Sequence, residues 1–449
     1  MRLTSGLGVG KGDVIALVGA GGKTTLMFRL AQELTDGGWR VITTTTTKIR
    51  PPHPGQTQQL IVESDAMLGL RKVTEALKHR RHVTLASRRL DGEDKLEGIP
   101  SQWVPGLKLV ADTVLIEADG AKGHSLKAPA IYEPVIPSAT TMLLPVVGMD
   151  VVGLSLCAGS VHRPELVARV TELALGDPIT PGAVGRLITH QQGGLKGLPE
   201  GCRVLPVLNK VEDDLSLENA RTIAVSVKAH ADVDRVLITS ATAKDPVVEC
   251  WRRVSAVVLA AGEASRFGSL KQLAPMDGKT MIEHVIARLM GSWVDEIIVV
   301  VGCRGDQVAQ YVPSGCRIVV NQDWRDGMSS SIRWGLRAID SRSEAALFVL
   351  ADQPAVDAGT INQLLLAYYR TDKSIVVPMF GNQRGNPVLF DRRHFTELQG
   401  LQGDVGGRCL IARLSSEVEA VQTRSPAVLI DIDTEDDYAR YRTSNERNQ

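Results

Sequence analysis

The chain has 449 residues, and 51 Lys and Arg balance 51 Asp and Glu, so the formal net charge is zero. The balanced charge predicts no basic surface for nucleic acid, and aromatic residues, at only 4%, offer little surface for stacking on bases. No apolar run could span a bilayer and the N-terminus lacks a signal-like apolar core, so we expect a cytoplasmic protein without membrane contact. The six cysteines form no CxxC pair, which indicates reduced thiols. The length predicts two domains.

The first half alternates short apolar runs with helical patterns, which predicts an α/β domain with a parallel sheet. Strands are predicted at residues 14–18, 41–44, 114–118, 142–147, 204–208 and 235–239, and helices at residues 24–34 and 217–230. The first strand runs directly into the glycine-rich segment GAGGKTT, which opens the first helix.

This segment predicts a phosphate-binding loop, because glycines let backbone amides approach an anion at the start of a helix. It is P-loop-like rather than a strict GxxxxGK[ST] motif, since Leu17 stands at the first glycine position, and its spacing resembles the phosphate loop of the Mur ligases. We expect the Thr24 hydroxyl to bind Mg²⁺, together with Asp119 and Glu117 at the end of a later strand. The expected nucleotide-binding residues are Gly19, Gly21, Gly22, Lys23, Thr24 and Thr25.

Two later segments bear on the base of the nucleotide. LPVLNKVE at residues 205–212 and ITSATAKDP at residues 238–246 each follow an apolar strand and look like the guanine-reading loops of GTP-binding proteins. Asn209 and Lys210 match that pattern, whereas Glu212 replaces the usual aspartate. The pattern favours GTP, with a strand exit and a polar turn as the alternative interpretation, and the nucleotide of this domain is predicted to be GTP or ATP.

Residues 12–250 as a whole resemble the selenium-dependent hydroxylase accessory family. The motifs that carry the resemblance are GAGGKTT, TTTTTKI, KLEGI, EADGAKGHSLKAPAIYEPVIP, VVGMDVVG and VHRPE. The resemblance implies that this domain assists a molybdenum hydroxylase or its maturation chaperone. Lys122, His124 and Lys127 of the EADGA segment are candidates for a ligand other than the nucleotide, and His162 and Arg163 are left without a role.

The second half is again an α/β pattern, and we place the boundary near Arg252, which gives domains 1–251 and 252–449. Strands are predicted at residues 254–259, 296–301, 318–320, 347–350 and 375–378, and helices at residues 281–290, 330–339 and 360–369. This order predicts a Rossmann-like domain.

A second nucleotide site is predicted in VVLAAGEASRFGSLK, residues 257–271, where an apolar strand ends in small residues. Backbone amides can approach a base and phosphates there without a Cβ in the way, and Arg266 and Lys271 supply cations for a triphosphate. The expected nucleotide-binding residues are Leu259, Ala260, Ala261, Gly262, Arg266 and Lys271.

Attack on an α-phosphorus builds negative charge on the phosphate oxygens, so cations and Mg²⁺ must surround them. Asp352 follows the predicted strand at residues 347–350, and we expect it to bind Mg²⁺ and to act with Arg266 and Lys271 in catalysis. Asp433 is a second metal candidate, although Thr434 with Asp437 can equally form a capping box for the last helix.

Residues 254–442 resemble the molybdenum cofactor cytidylyltransferases. The motifs are LAAGEASRFGSLKQL, NQDWRDGMSSSIRWGL, LADQPAV, RGNPVLF, GDVGGR and DIDTEDDY. The resemblance implies the nucleotide-diphospho-sugar transferase type of fold and transfer of CMP from CTP to molybdopterin carrying molybdenum, with release of pyrophosphate. Ala261 stands where the guanylyl relatives have glycine, which favours cytosine. The alternatives are a guanylyl or sugar nucleotidyltransferase and a GTP-switched cofactor chaperone.

Overall fold

The computed structural model describes residues 1–92, 94–263, 267 and 270–446. The chain divides into two compact units, Met1–Trp251 and Arg252–Gln449. Each unit has a sheet of mainly parallel strands with helices packed against it, so the predicted α/β class is confirmed. No helix among these described residues has both the length and the apolarity needed to cross a bilayer.

The first unit is built on one large sheet. Its strands are β1 (Asp13–Gly19), β2 (Val41–Thr45), β3 (Gln59–Val62), β4 (His82–Ala86), β5 (Arg88–Arg89), β6 (Leu96–Glu97), β7 (Thr113–Glu117), β8 (Met142–Gly148), β9 (Arg203–Val204), β10 (Val207–Asn209), β11 (Arg235–Thr239) and β12 (Val247–Arg252). Its helices are α1 (Leu3–Leu7), α2 (Lys23–Asp36), α3 (Ala66–Ala76), α4 (Val104–Lys108), α5 (Pro164–Thr171), α6 (Pro181–Thr189) and α7 (Asp214–Lys228).

The sheet order is β12-β11-β10-β8-β1-β7-β2-β4-β3, with β9 beside β8 and the small β5-β6 hairpin apart. Strand β1 runs parallel to both β7 and β8, so the carboxyl ends of these three strands meet at one edge. All residues of β7 and β8 are buried, as expected for parallel strands covered on both faces. The loop after β1 therefore lies next to the end of β7, where Glu117 stands.

The predicted strand at residues 204–208 is in fact two short strands, β9 and β10. Pro206 separates them, because proline has no backbone N–H to donate to a neighbouring strand. Strands β3 and β4 and helix α3 were not predicted at all. They pair and pack at the far edge of the sheet, where short and partly polar sequences give little periodicity.

The second unit contains strands β13 (Val254–Ala260), β14 (Pro275–Met276), β15 (Lys279–Thr280), β16 (Glu296–Val301), β17 (Arg317–Val320), β18 (Ala345–Leu350), β19 (Ile375–Phe380), β20 (Gln383–Arg384), β21 (Val388–Asp391) and β22 (Val418–Gln422). Its helices are α8 (Met281–Met290), α9 (Gly305–Ala309), α10 (Met328–Ala338), α11 (Ala358–Arg370), α12 (Phe395–Gln399), α13 (Arg408–Arg413) and α14 (Glu435–Glu446).

Its main sheet has the order β17-β16-β13-β18-β21-β19-β20, with β22 beside β19. The pairs around β13 are parallel, whereas β21 runs antiparallel between β18 and β19, a strand that the sequence did not predict. Helix α10 packs on β13 and β16, and Gly335 gives it room because a Cβ there would lie 2.4 Å from a Val257 methyl. The ends of β13 and β18 are thus fixed side by side, which positions the loops that follow them.

Candidate functional sites

The glycine-rich loop after β1 forms the first candidate site. Gly19 and Gly21 have φ angles of 88° and 90°, and an added Cβ would lie 2.4 Å from Val146 O and 2.1 Å from Gly148 N, respectively. Both the left-handed backbone and the lack of room exclude a side chain at these two positions. The loop therefore wraps tightly against the end of β8 and leads directly into α2, which begins at Lys23.

Lys23 is almost fully buried, with its ammonium group folded back over the loop. Its Nζ donates to Gly19 O at 2.6 Å and lies 3.2 Å from Asp119 Oδ1 and 3.8 Å from Glu117 Oε1. Burial by itself would lower the pKa of Lys23, but the charges of Asp119 and Glu117 outweigh burial and raise the pKa. Lys23 is therefore held as a cation beside the loop.

Thr24 and two carboxylates complete this cluster. The Thr24 hydroxyl donates to Glu117 Oε2 at 2.7 Å, and burial raises the pKa of Glu117 despite the opposing effect of Lys23. Asp119 Oδ2 accepts from the Gly19 amide at 3.0 Å, while its Oδ1 is buried without a hydrogen bond. Asp119 Oδ1, which is ion-paired with Lys23, and the Thr24 hydroxyl are oxygen ligands of the kind that a divalent cation binds. Thr25, one residue further along α2, is exposed.

Lys127 of the EADGA segment is fully buried, so it does not offer its ammonium group to a free ligand. Its Nζ lies 2.9 Å from Asp119 Oδ2 and 2.7 Å from Glu133 Oε2. Arg163 in turn contacts both oxygens of Glu133, at 2.6 and 3.2 Å. Lys127 is therefore linked to the phosphate loop through Asp119, which accepts from the Gly19 amide. The sequence did not predict this arrangement, because nothing in it marked Glu133 as a partner of Lys127.

The other candidates of that segment lie nearer the surface. The rings of His124 and His162 stack with their centroids 6.1 Å apart and their planes 7° apart. Burial, reinforced by the charge of Arg163, lowers the pKa of His162 to about 4, so this ring is neutral at neutral pH. Lys122 is exposed, with a left-handed φ of 50°.

Asn209 ends β10 and joins three segments around the phosphate loop. Its Nδ2 donates to Gly21 O at 2.8 Å, and its Oδ1 accepts from Thr239 Oγ1 at 3.0 Å and from the Ala241 amide at 3.1 Å. The side chain is buried, and both ends of its amide are hydrogen-bonded. Asn209 therefore braces the loop against the two segments that the sequence predicts to contact the base.

The other two predicted base-contacting residues lie further out. Lys210 has a left-handed φ of 62°, and its Nζ donates to Ser125 Oγ at 2.7 Å and to Asp150 Oδ2 at 2.8 Å. Glu212 is exposed, and its backbone amide donates to Ser216 Oγ near the start of α7. The structure thus brings Asn209 to the phosphate loop and leaves the Glu212 carboxylate in contact with solvent.

The second candidate site follows β13. Ala261 is buried, and a Cβ added to Gly302 would lie 2.8 Å from the Ala261 methyl, so that methyl packs closely against the end of β16. Gln272 Nε2 donates to Gly262 O at 3.0 Å and holds the start of the loop. Leu259 and Ala260 remain within the strand. Arg266, predicted to be catalytic, lies outside the residues that the structure describes.

Lys271 lies between the two predicted metal ligands. Its Nζ is 2.6 Å from Asp352 Oδ2 and 2.7 Å from Asp433 Oδ1. Burial would lower the pKa of Lys271, but Asp352 and Asp433 outweigh burial and raise it. The three residues come from widely separated parts of the chain, and the Ile432 amide ties two of these segments together by donating to Asp352 O at 3.0 Å.

A third carboxylate, which the sequence did not single out, lies next to this group. Gln353 Nε2 donates to Asp431 Oδ1 at 2.7 Å, and burial together with the charge of Asp352 raises the pKa of Asp431. The alternation of aspartates in the segment DIDTEDDY is the signal that could have identified it, since Asp431 and Asp433 are two residues apart in an extended segment.

The predicted metal-binding role of Asp433 and the predicted capping box at Thr434 are compatible. Thr434 and Asp437 form the capping box of α14, with Asp437 Oδ2 accepting from Thr434 N at 3.0 Å and Thr434 Oγ1 accepting from Asp437 N at 3.1 Å. Asp433, one residue earlier, is free of that box and contacts Lys271.

A divalent cation fits this second group through the oxygens of Asp352. In the described part of the chain, no three His, Cys, Asp or Glu side chains are grouped as a metal site. Asp352 Oδ1, however, is buried without a hydrogen bond, while Asp433 is 45% exposed. The unpartnered Asp352 oxygen and the partly exposed Asp433 carboxylate suit an ion that also keeps phosphate or water ligands.

Comparison with known proteins matches the two units separately. The family described as YqeC protein matches residues 15–165, and the family described as MobA-like NTP transferase domain matches residues 256–418. The uncharacterized protein YqeC of Escherichia coli (strain K12) is 33% identical over 199 residues, which cover 44% of this chain and 75% of that protein. The chain belongs to the YqeC family. Its second unit contains a MobA-like NTP transferase domain, and the fusion predicted from the sequence is confirmed.

Other relatives carry different names. The nicotine blue oxidoreductase of Paenarthrobacter nicotinovorans is 29% identical over 194 residues, or 40% of this chain and 92% of that protein. The molybdenum cofactor cytidylyltransferase of Escherichia coli (strain K12) is 24% identical over 187 residues, or 41% and 93%. A solved nucleotidyl transferase from Methanothermobacter thermautotroptrophicus is 26% identical, covering 44% of this chain and 99% of its own, with a TM-score of 0.39. The family match over residues 256–418 identifies this domain as a nucleotidyltransferase domain.

Proposed function

We propose that the MobA-like domain transfers CMP from CTP to molybdopterin carrying molybdenum and releases pyrophosphate. The observation that carries this proposal is the contact of Lys271 with both Asp352 and Asp433 at the end of β18. A cation and two carboxylates at one strand edge are the groups that nucleotidyl transfer needs around a triphosphate. The similarity to the Escherichia coli molybdenum cofactor cytidylyltransferase supports the choice of substrate.

Each residue then has a distinct task. Lys271 places a positive charge where the triphosphate lies, and its raised pKa keeps that charge at neutral pH. Asp352 and Asp433 would hold Mg²⁺, which supplies further positive charge to the phosphate oxygens. Arg266 is proposed to contact the departing pyrophosphate. The backbone of Leu259 to Gly262 would face the base, with the Ala261 methyl narrowing its pocket in favour of cytosine.

We propose that the YqeC-family unit binds GTP or ATP and assists the maturation of a molybdenum hydroxylase, which makes the chain bifunctional. The support is the cluster of Lys23, Thr24, Glu117 and Asp119 at the end of a glycine loop too tight for side chains. Thr24 and Asp119 would hold Mg²⁺ there, and Lys23 would contact the terminal phosphates. Asn209 couples this loop to the segments proposed to bind the base.

The deciding experiment is the mass of the nucleotide-bearing product. The full chain is incubated with Mg²⁺, molybdenum-loaded molybdopterin and an equal mixture of CTP and GTP, and pyrophosphate is measured in parallel. A cytosine dinucleotide with matching pyrophosphate is the expected result. A guanine dinucleotide would replace the cytidylyl assignment by a guanylyl one. No product and no pyrophosphate would favour a GTP-switched cofactor chaperone or the oxidoreductase activity named for one relative, neither of which releases pyrophosphate.

A further inference from the structure

The side chain of Lys127 has no exposed surface, yet its ammonium group is fully hydrogen-bonded. It lies 2.9 Å from Asp119 Oδ2 and donates to Glu133 Oε2 and Gly120 O, both at 2.7 Å. Three acceptors match the three N–H groups of an ammonium, so this buried cation is satisfied. A buried charge is tolerated only with such partners, and the position of Lys127 is therefore fixed by Asp119 on one side and Glu133 on the other.

Glu133 is in turn fixed from the outside. Arg163 donates to both of its carboxylate oxygens, at 2.6 and 3.2 Å, in a two-point contact with defined geometry. Burial alone would raise the pKa of Glu133, but the bonds from Arg163 and Lys127 outweigh it and hold the pKa at about 2. Glu133 is thus ionised at neutral pH and anchors Lys127 to the surface side of the unit.

The two oxygens of Asp119 consequently face different partners. Oδ2 accepts from the Gly19 amide and contacts Lys127, whereas Oδ1 lies 3.2 Å from Lys23 Nζ and is buried without a hydrogen bond. Asp119 is only 1% exposed, so its Oδ1 has no access to bulk water. The contacts on Oδ2 therefore determine that Oδ1 turns toward Lys23 of the phosphate loop, with which it forms an ion pair.

We propose that Lys127 is a positioning residue for the cation-dependent nucleotide site of the YqeC-family unit. It orients Asp119 so that Oδ1 faces the phosphate loop and the divalent cation that accompanies the nucleotide there. Glu133 and Arg163 act behind it by fixing Lys127. This role rests on the proposed nucleotide binding of the same unit. It also gives a role to Lys127 and Glu133 of the EADGA segment, neither of which is proposed to contact a ligand directly.

The test compares nucleotide affinity with and without the cation. The full chain and its Lys127→Met variant are titrated calorimetrically with GTP and with ATP, once with excess Mg²⁺ and once with EDTA. We expect Lys127→Met to weaken binding in Mg²⁺ by roughly 10- to 100-fold, as for other residues that orient a metal ligand. In EDTA the affinity should change much less, because the loop and Lys23 remain.

A second variant covers the case in which Lys127→Met fails to fold. Arg163→Met alters a partly exposed residue and only loosens Glu133, so a smaller loss confined to Mg²⁺ is expected. Lys228→Met, which removes another buried lysine of the unit, is the matched control and should leave the Mg²⁺ dependence intact.

The outcomes separate the two proposals. Equal losses of nucleotide affinity in Mg²⁺ and in EDTA would show a general electrostatic or folding effect and would overturn the positioning role. Unchanged nucleotide affinity in both the Lys127→Met and the Arg163→Met variant would also overturn it. If the wild-type chain binds neither nucleotide more tightly with Mg²⁺, the proposed nucleotide site itself is wrong.

Discussion

Lys271 Nζ lies 2.6 Å from Asp352 Oδ2, so a residue of the loop after β13 neutralises a carboxylate at the end of β18. The contact uses only one oxygen of Asp352 and leaves Oδ1 buried and unpartnered. A triphosphate with its cation could engage both residues without rearranging the two strands, which are paired side by side. The pairing of β13 with β18 therefore brings the segments that carry these two residues together.

Asp352→Asn should lower the rate of nucleotidyl transfer by on the order of 10² to 10³, typical for the loss of one group that stabilises charge in the transition state. The amide keeps the size of the side chain, so folding should be preserved. Pyrophosphate release with CTP at saturating Mg²⁺ measures the effect. Asp437→Asn removes a carboxylate from the nearby capping box of α14 and is the control. Full activity of Asp352→Asn would move the metal to Asp433.

Lys23→Ala should weaken binding of GTP and ATP by the first unit and leave CTP-dependent transfer largely unchanged. The reason is that Lys23 contacts the loop carbonyl and the acidic pair of the first unit, whereas transfer is proposed to depend on Lys271. Calorimetric titration of the full chain measures binding, with the exposed Lys72→Ala as control. Equal affinities of wild type and Lys23→Ala would remove Lys23 from the site.

The sequence predicted the strands that carry the glycine loops because apolar runs bounded by glycine have few alternative structures. It also predicted that Thr24 would lie near Glu117 and Asp119, since these residues follow strands of one parallel sheet. It could not predict that Lys127 is buried against Glu133, because that contact depends on how the segment between β7 and β8 folds back. The partner of Asp431 was missed for the same reason, since its contact with Gln353 joins segments distant in sequence.

Glu212→Ala should reduce the preference of the first unit for GTP over ATP while leaving its stability unchanged. Glu212 is exposed, so its carboxylate can contact a base but supports no packing. Competition between GTP and ATP in calorimetric titration measures the preference, and thermal unfolding serves as the stability control. A chain that already prefers ATP would show that the NKVE segment does not bind guanine.

The first unit should lose stability as the pH falls from about 6.5 to about 4. Burial lowers the pKa of His82 from 6.5 to about 4, so the unfolded chain binds a proton in this window that the folded chain does not. The contribution of neutral His82 to the free energy of unfolding is thus complete above pH 6.5 and is lost as the pH falls through 4. The hydrogen-exchange protection of β4 in the full chain, corrected for intrinsic rates, should fall more steeply with falling pH in wild type than in His82→Gln. Identical pH profiles would contradict the buried, neutral state of His82.

Ala261→Gly should relax the choice of CTP over GTP only in part. The Ala261 methyl packs against Gly302 at the end of β16, and its removal would widen the pocket proposed for the base. One methyl group in such a pocket is worth about 1 to 3 kcal/mol, so CTP should remain the better donor if other contacts also select it. The ratio of cytosine to guanine dinucleotide formed from an equal mixture, measured by mass, tests this in wild type and variant. A variant with an unchanged ratio would show that Ala261 does not line the base pocket, and the selection would then have to come from other residues of the segment 257–271.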